Sequence, residues 1–417
     1  MKNIKKGIYA YNEEISKFKN TLITFRFVNE ITKENACIRT LLALMLANKS
    51  KKYATKKLMM NKKDNLYNAK ITRNIFKVGK LSCINIELDV ISNEFVDNDN
   101  YQNEYLEFFK EVIMNPLFDE ENLKEAKLSL KSKYLRLIDE PSTFADKEIT
   151  KILGKNQPYG YDTFGVENNT LNSISLDDIQ IEYKRLIEED NIYLNILGAN
   201  ANDELADKVL KCFDFKDRKE IFEANYDFKI NEIESEYIIE KDISQATILV
   251  NYKGALNHKD KEKFYAFNLA VNILGGASSS LLFQEVREKH SLCYSIYARQ
   301  VSYEKLMTVK TGVALDKIDK AIELIKIEVD KLKNGEFDEQ LFDTIRILMI
   351  NSLSGIKDDL YTYLNYLFTR QINNLDTSID NYINGISQVS KQDVIASFDK
   401  IEFLTTLIIR GENDDKI

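Results

Sequence analysis

Two side chains seven residues apart, Arg287 and Tyr294, are the strongest candidates for chemistry in this chain. A guanidinium donates hydrogen bonds while keeping its charge, and a phenol donates its one proton. Brought together, the two can donate to a single carbonyl oxygen, orienting it and stabilising negative charge that develops there. Spacing alone does not bring them together, so the surrounding residues must. Both lie in the stretch 272–299, where an apolar helix breaks at Gly275-Gly276. Ser278, Ser279 and Ser280 follow, and any of them could cap a new helix. Leu281, Leu282, Phe283 and Val286 form the apolar face of that helix and place Arg287 on it. Beyond His290 and Ser291, the alternation Tyr294, Ile296, Ala298 predicts a strand with Tyr294 at its entry. A Gly-Gly followed by serines also suggests a phosphate loop, but no Gly-Lys-Ser/Thr comes after it, which argues against phosphate binding.

No second catalytic set competes with this pair. Cys37, Cys83, Cys212 and Cys293 are far apart and form neither a Cys-x-x-Cys motif nor a metal spacing, so each is read as a reduced cytoplasmic thiol. The chain has two histidines. His258 falls in a polar loop before a helix and is expected to be solvated. His290 ends the Arg287 helix, where positive charge suits the helix dipole. Gly-x-Ser-x-Gly is absent, and the acidic pairs Asp177-Asp178 and Glu188-Glu189 read as caps or solvated faces. A net charge of −8 without a basic patch argues against nucleic acid as a partner. No apolar run reaches 18 residues, so no membrane span is expected. The basic start, Met1 to Lys6, is not followed by an apolar core, so no signal peptide is expected and the location is taken as cytoplasmic.

The elements that must position these groups come in two similar sets. In the first half we expect a strand over 17–29 and a helix over 34–48 with Ile38, Leu41, Leu42, Met45 and Leu46 on its apolar face. Two strands near 65–76 and 80–91 follow, then helices over 101–114, 121–138 and 146–153. A further helix opens at Ser175, and a strand covers 191–197. The second half repeats landmarks of the first. Phe118-Asp119-Glu120 returns as Phe337-Asp338-Glu339, each opening a long helix. Ser175 and Asp178 return as Ser390 and Asp393, and the strand ending at Gly198 returns as one ending at Gly411. A period near 215 residues is too long for a solenoid and implies two homologous domains. These are expected over 1–213 and 236–417, joined by a charged linker over 214–235. The fold class is α+β, each domain a mostly antiparallel sheet with helices on one face.

The stretch 272–299 resembles the C-terminal-half signature of the pitrilysin/insulinase metallopeptidases, a family that includes the mitochondrial processing peptidase. The shared pattern is Leu-Gly-Gly, small residues, Leu-Phe-Gln-Glu-Val-Arg-Glu-Lys, then Leu-x-Tyr-Ser. The resemblance runs through nearly the whole chain, including Asn115-Pro116-Leu117-Phe118-Asp119-Glu120, Pro158-Tyr159-Gly160 and Ile243-Ser244-Gln245-Ala246. It implies that Arg287 and Tyr294 hold substrate backbone near the scissile bond. It also implies an inverted zinc motif, His-x-x-Glu-His, in the first half. Here Thr40 takes the first His position, Ala43 the Glu and Leu44 the second His. Threonine is a poor zinc ligand, and Ala and Leu bring no donor atom. The region matching the third ligand, 130–135, carries no carboxylate.

The resemblance therefore implies an inactive subunit, with no cofactor on this chain, that is not a peptidase alone. It would bind peptide substrate and complement a homologous zinc-bearing subunit in a heterodimer, with a homodimer as the other arrangement. The alternative is a non-proteolytic peptide-binding or scaffold protein of the same fold. In the family, substrate adds as a strand beside the zinc helix, and the matching strand here is expected over 66–72.

Overall fold

The structure is a computed structural model describing residues 2–220, 223–260 and 262–411. Residues 221 and 222 of the expected linker, and 261 and 412–417 of the expected second domain, lie outside the described residues, as does Met1. Two compact units divide the chain. The first comprises Met1–Leu135, Tyr161–Ala224 and Asp358–Leu375, and the second comprises Arg136–Gly160, Asn225–Lys357 and Asp376–Ile417. Expected boundaries follow the sequence, whereas the compact units each take a helix from the other half of the chain. Pro141–Leu153 belongs to the second unit and Leu360–Ile372 to the first.

The first unit is built on six strands, β1 (Lys2–Lys5), β2 (Ile8–Glu14), β3 (Asn20–Glu30), β4 (Lys70–Val78), β5 (Leu81–Ile91) and β6 (Asn191–Gly198). Their order is β1-β2-β6-β3-β5-β4, with β2 and β6 parallel and the other pairs antiparallel. Alternation along β3 sends Ile23, Phe25 and Phe27 to one face, where they meet Leu41, Leu42 and Met45 of the helix Asn35–Met45. Each such side chain, fully buried, contributes on the order of 1.5–3 kcal/mol. The intervening Arg26 points to the opposite face, where its guanidinium lies 4.4 Å from the Phe368 ring of the helix Leu360–Ile372.

The second unit carries β7 (Glu236–Glu240), β8 (Ala246–Lys253), β9 (Cys293–Val301), β10 (Leu306–Val313) and β11 (Glu402–Arg410), in the order β7-β11-β8-β10-β9. Again one pair, β7 and β11, is parallel and the rest are antiparallel. Leaving β1 aside, the strands of each sheet lie in the same order: first, fifth, second, fourth, third. Ile248 and Val250 pack against Phe267, Ala270 and Leu274 of the helix Glu262–Gly275. Leu249, Leu407 and Ile409 meet Ala145, Ile149 and Leu153 of the helix Pro141–Leu153 on the other face.

The duplication extends to single hydrogen bonds. Ser175 accepts from the Asp178 amide at 3.2 Å, and its own amide donates to the Asp178 carboxylate at 2.8 Å. Ser390 and Asp393 form the same reciprocal capping box at 3.2 and 2.9 Å. Asp119 and Asp338 likewise each accept from the backbone amide three residues on, both at 2.7 Å, capping the two long helices.

Candidate functional site

The helix Asn35–Met45 carries the three positions aligned with the zinc motif. It is pinned by Arg39, which is fully buried and donates to Glu182 at 2.8 Å, to Asp190 at 2.7 Å and to the Ser82 hydroxyl at 3.0 Å. One residue on, Thr40 turns its hydroxyl back to the Ala36 carbonyl at 2.9 Å, as hydroxyls inside helices commonly do. Thr40, Ala43 and Leu44 line a cavity of about 350 Å³, together with Leu130 and Lys133 from the helix Glu120–Asp139. The wall opposite the helix comes from β4, whose Arg73 donates from Nε and Nη2 to the Leu44 carbonyl at 3.1 and 2.9 Å. Nη2 also donates to Asn48 at 2.6 Å. Burial lowers the Arg73 pKa from its ordinary value.

This donor set does not fit a catalytic zinc ion. The threonine oxygen is engaged, Ala43 and Leu44 bring none, and the charged groups on the wall are the cations Arg73, Lys77 and Lys133. Among the described residues, no three His, Cys, Asp or Glu side chains are grouped so as to hold a metal.

β4 is the last strand of its sheet. The edge strand expected over 66–72 begins later, at Lys70, because the helix Lys56–Asn65 precedes it and Tyr67 and Asn68 take positive φ values of 54° and 60° in the turn between. Sequence periodicity missed that helix, since Met59 is its one buried residue.

In the second unit, the helix Glu262–Gly275 ends against β9. A Cβ on Gly275 would come within 2.5 Å of the Ala298 amide, so the close approach needs glycine. Phe283–Lys289 then forms a π-helix, a geometry that occurs often at functional sites. Within it the Arg287 guanidinium lies 4.3 Å from the Phe283 ring, and its Nε is 3.7 Å from Glu288. His290 caps the π-helix and sits 3.2 Å from Glu285.

Simple alternation would give Tyr294 the same orientation as Ile296 and Ala298, which are 5% and 9% exposed, yet Tyr294 is 85% exposed. The cause is a bulge in the ladder. Ile296 pairs with Thr311 and Cys293 with Val313, so three steps along β9 match two along β10. The extra residue breaks the alternation and turns the phenol outward, as bulges beside functional sites do. The bulge depends on the partner strand, so periodicity within β9 could not reveal it.

The expectation for His258 is also corrected. His258 is buried, at 8% exposed, rather than solvated, because its ring packs 5.4 Å from Tyr303 and its Nε2 lies 3.2 Å from the Asn225 side chain. Among the described residues, no helix is long and apolar enough to cross a membrane.

Comparison with known proteins agrees with this geometry. The family described as "Peptidase M16 inactive domain" matches residues 173–349. A Bacillus subtilis protein named a probable inactive metalloprotease is 24% identical over 97% of this chain and 96% of its own length. A Helicobacter pylori protein named a non-peptidase homolog is 23% identical over 76% of this chain and 74% of its own. The crystal structure of a conserved Enterococcus faecalis protein shares the fold, with a TM-score of 0.88 at 20% identity, covering 99% of this chain and 98% of that one. Residues 173–349 thus belong with the M16 inactive-domain family, and the chain is a peptidase homologue without the zinc motif.

Proposed function

We propose that this chain holds peptide substrate for a homologous zinc-bearing subunit, the two forming a heterodimer that cleaves peptides. The partner supplies the zinc and the activating carboxylate. On this chain, Arg287 and Tyr294 donate to the substrate carbonyl, fixing its orientation and stabilising the oxyanion as it forms. The observation that carries this reading is the bulge that turns Tyr294 to 85% exposure. A tyrosine serving only to fill the core would follow Ile296 inward. Four unpaired cysteines support placing the protein in the reducing cytoplasm.

A second reading, peptide binding without cleavage, draws on the first unit alone. β4 offers an unpaired strand edge beside a cavity, and strand addition uses backbone groups that survive loss of the metal ligands. Co-expression with a homologue carrying an intact His-x-x-Glu-His motif separates the two readings. The first expects the chains to co-purify and the pair to cleave a peptide faster than the partner alone. Equal cleavage by the partner alone leaves the second.

A further inference from the structure

We propose that the cavity between β4 and the helix Asn35–Met45 binds a carboxylate, with Arg73 as its anchor. This rests on the peptide-binding reading of β4 and names the chemistry of the ligand.

Five consecutive residues, Arg73 to Lys77, border the cavity. Side chains on one face of a strand alternate, so five in a row mean that the cavity follows the edge of β4 rather than one of its faces. A peptide laid along that edge passes over the opening. The titratable side chains in the wall are Arg73, Lys77 and Lys133, with no aspartate or glutamate among them, in a chain whose net charge is −8. The volume of about 350 Å³ lies at the small end of ordinary ligand pockets and suits one side chain or a chain terminus.

Arg73 is oriented for the task. Its Nε and Nη2 are fixed by the Leu44 carbonyl and the Asn48 side chain. Nη1 keeps two N–H donors with no partner among the described residues, and no carboxylate there forms an ion pair with Arg73. A guanidinium held on one side and open on the other accepts a carboxylate with little loss of rotamer freedom. Arg73 also borders a neighbouring cavity with Asn48 and Glu125, the latter held by Lys56 at 2.8 Å. The ligand chemistry is the carboxylate, from either a peptide C-terminus or an acidic side chain.

The test uses three fluorescein-labelled octapeptides of one alternating Val/Thr sequence. The first ends in glutamine with a free α-carboxylate, the second in an amidated glutamate, and the third in an amidated glutamine. Fluorescence anisotropy with the full chain measures their affinities. At least one carboxylate peptide should bind about tenfold or more tighter than the third, the range of a charge-assisted hydrogen bond. Whichever peptide binds tighter identifies the source. Arg73→Gln should abolish the difference, and Arg73→Lys should restore part of it. Equal binding of all three to the wild-type chain overturns the carboxylate pocket while leaving peptide binding intact. No binding of any peptide overturns the pocket, and the co-expression assay then judges the other reading. The wild-type comparison decides even if the Arg73 variants fail to fold.

Discussion

Replacing Arg39 by methionine tests the packing that holds the vestigial helix in place. The substitution keeps an apolar stem and removes the guanidinium. Two carboxylates, Glu182 and Asp190, are then left with side-chain exposures of 5% and 0% and without their cation. Breaking a buried pair in this way costs about 3–5 kcal/mol, because Asp190 loses its cation and Glu182 keeps only the partly exposed Arg185 at 3.4 Å. For a domain of 150–250 residues, each kcal/mol moves Tm by about 2–4 °C, so the first unit should melt roughly 6–20 °C lower at neutral pH.

The pH dependence has a definite sign. Burial raises the Glu182 carboxyl above the usual carboxylate range, against the opposing pull of Arg39. A group with a raised folded pKa takes up its proton more readily in the folded state. Its contribution to stability is fully present below the unfolded value and is lost as pH rises through the folded one. Removing Arg39 removes the larger of the two cations that oppose burial and leaves Arg185, so the folded value rises further. The deficit of the variant should therefore shrink between pH 7 and pH 5. Circular dichroism melts at both pH values measure this. A Tm within about 2 °C of wild type, or a deficit that grows on acidification, refutes the reasoning.

Three further outcomes follow. Wild-type chain purified without a histidine tag should carry far less than one zinc per chain, whereas a T40H/L44H/L130E variant should bind zinc, since all three positions line one cavity; metal analysis after dialysis reads both. Hydrogen exchange with a bound peptide should slow along Lys70–Val78, the edge strand, and unchanged exchange there counts against strand addition. The Cys37 and Cys83 thiols, pushed up to about 12 by burial, should resist a thiol reagent at pH 8 until the chain unfolds, and labelling of the native protein within minutes would contradict their placement.

What the sequence made legible is what local spacing controls. Ser175 with Asp178 and Ser390 with Asp393 are reciprocal caps three residues apart, so their hydrogen bonds and the duplication they mark could be read directly. The Gly275 break, the Arg287 helix and the β9 strand were legible for the same reason. Features set by distant partners were not. The outward turn of Tyr294 depends on how β9 pairs with β10. Arg73 reaches Leu44 and Asn48 across the fold, so nothing near it in sequence marks it as part of the cavity. His258 looked solvated because its neighbours are polar, while Tyr303, which covers it, lies 45 residues away. The placement of Pro141–Leu153 with the second sheet is likewise a matter of tertiary packing, although its apolar face was readable.

The central claim, that this chain assists catalysis by a zinc-bearing partner, is tested most directly by Tyr294→Phe in the co-expressed pair. Tyr294 is 85% exposed, so removing its hydroxyl should leave folding and assembly unchanged. Losing one oxyanion donor costs about 10²–10³ in kcat. The account predicts a fall of that order in turnover of a peptide substrate, with the pair still co-purifying. An intact pair whose kcat is unchanged by the substitution would contradict it.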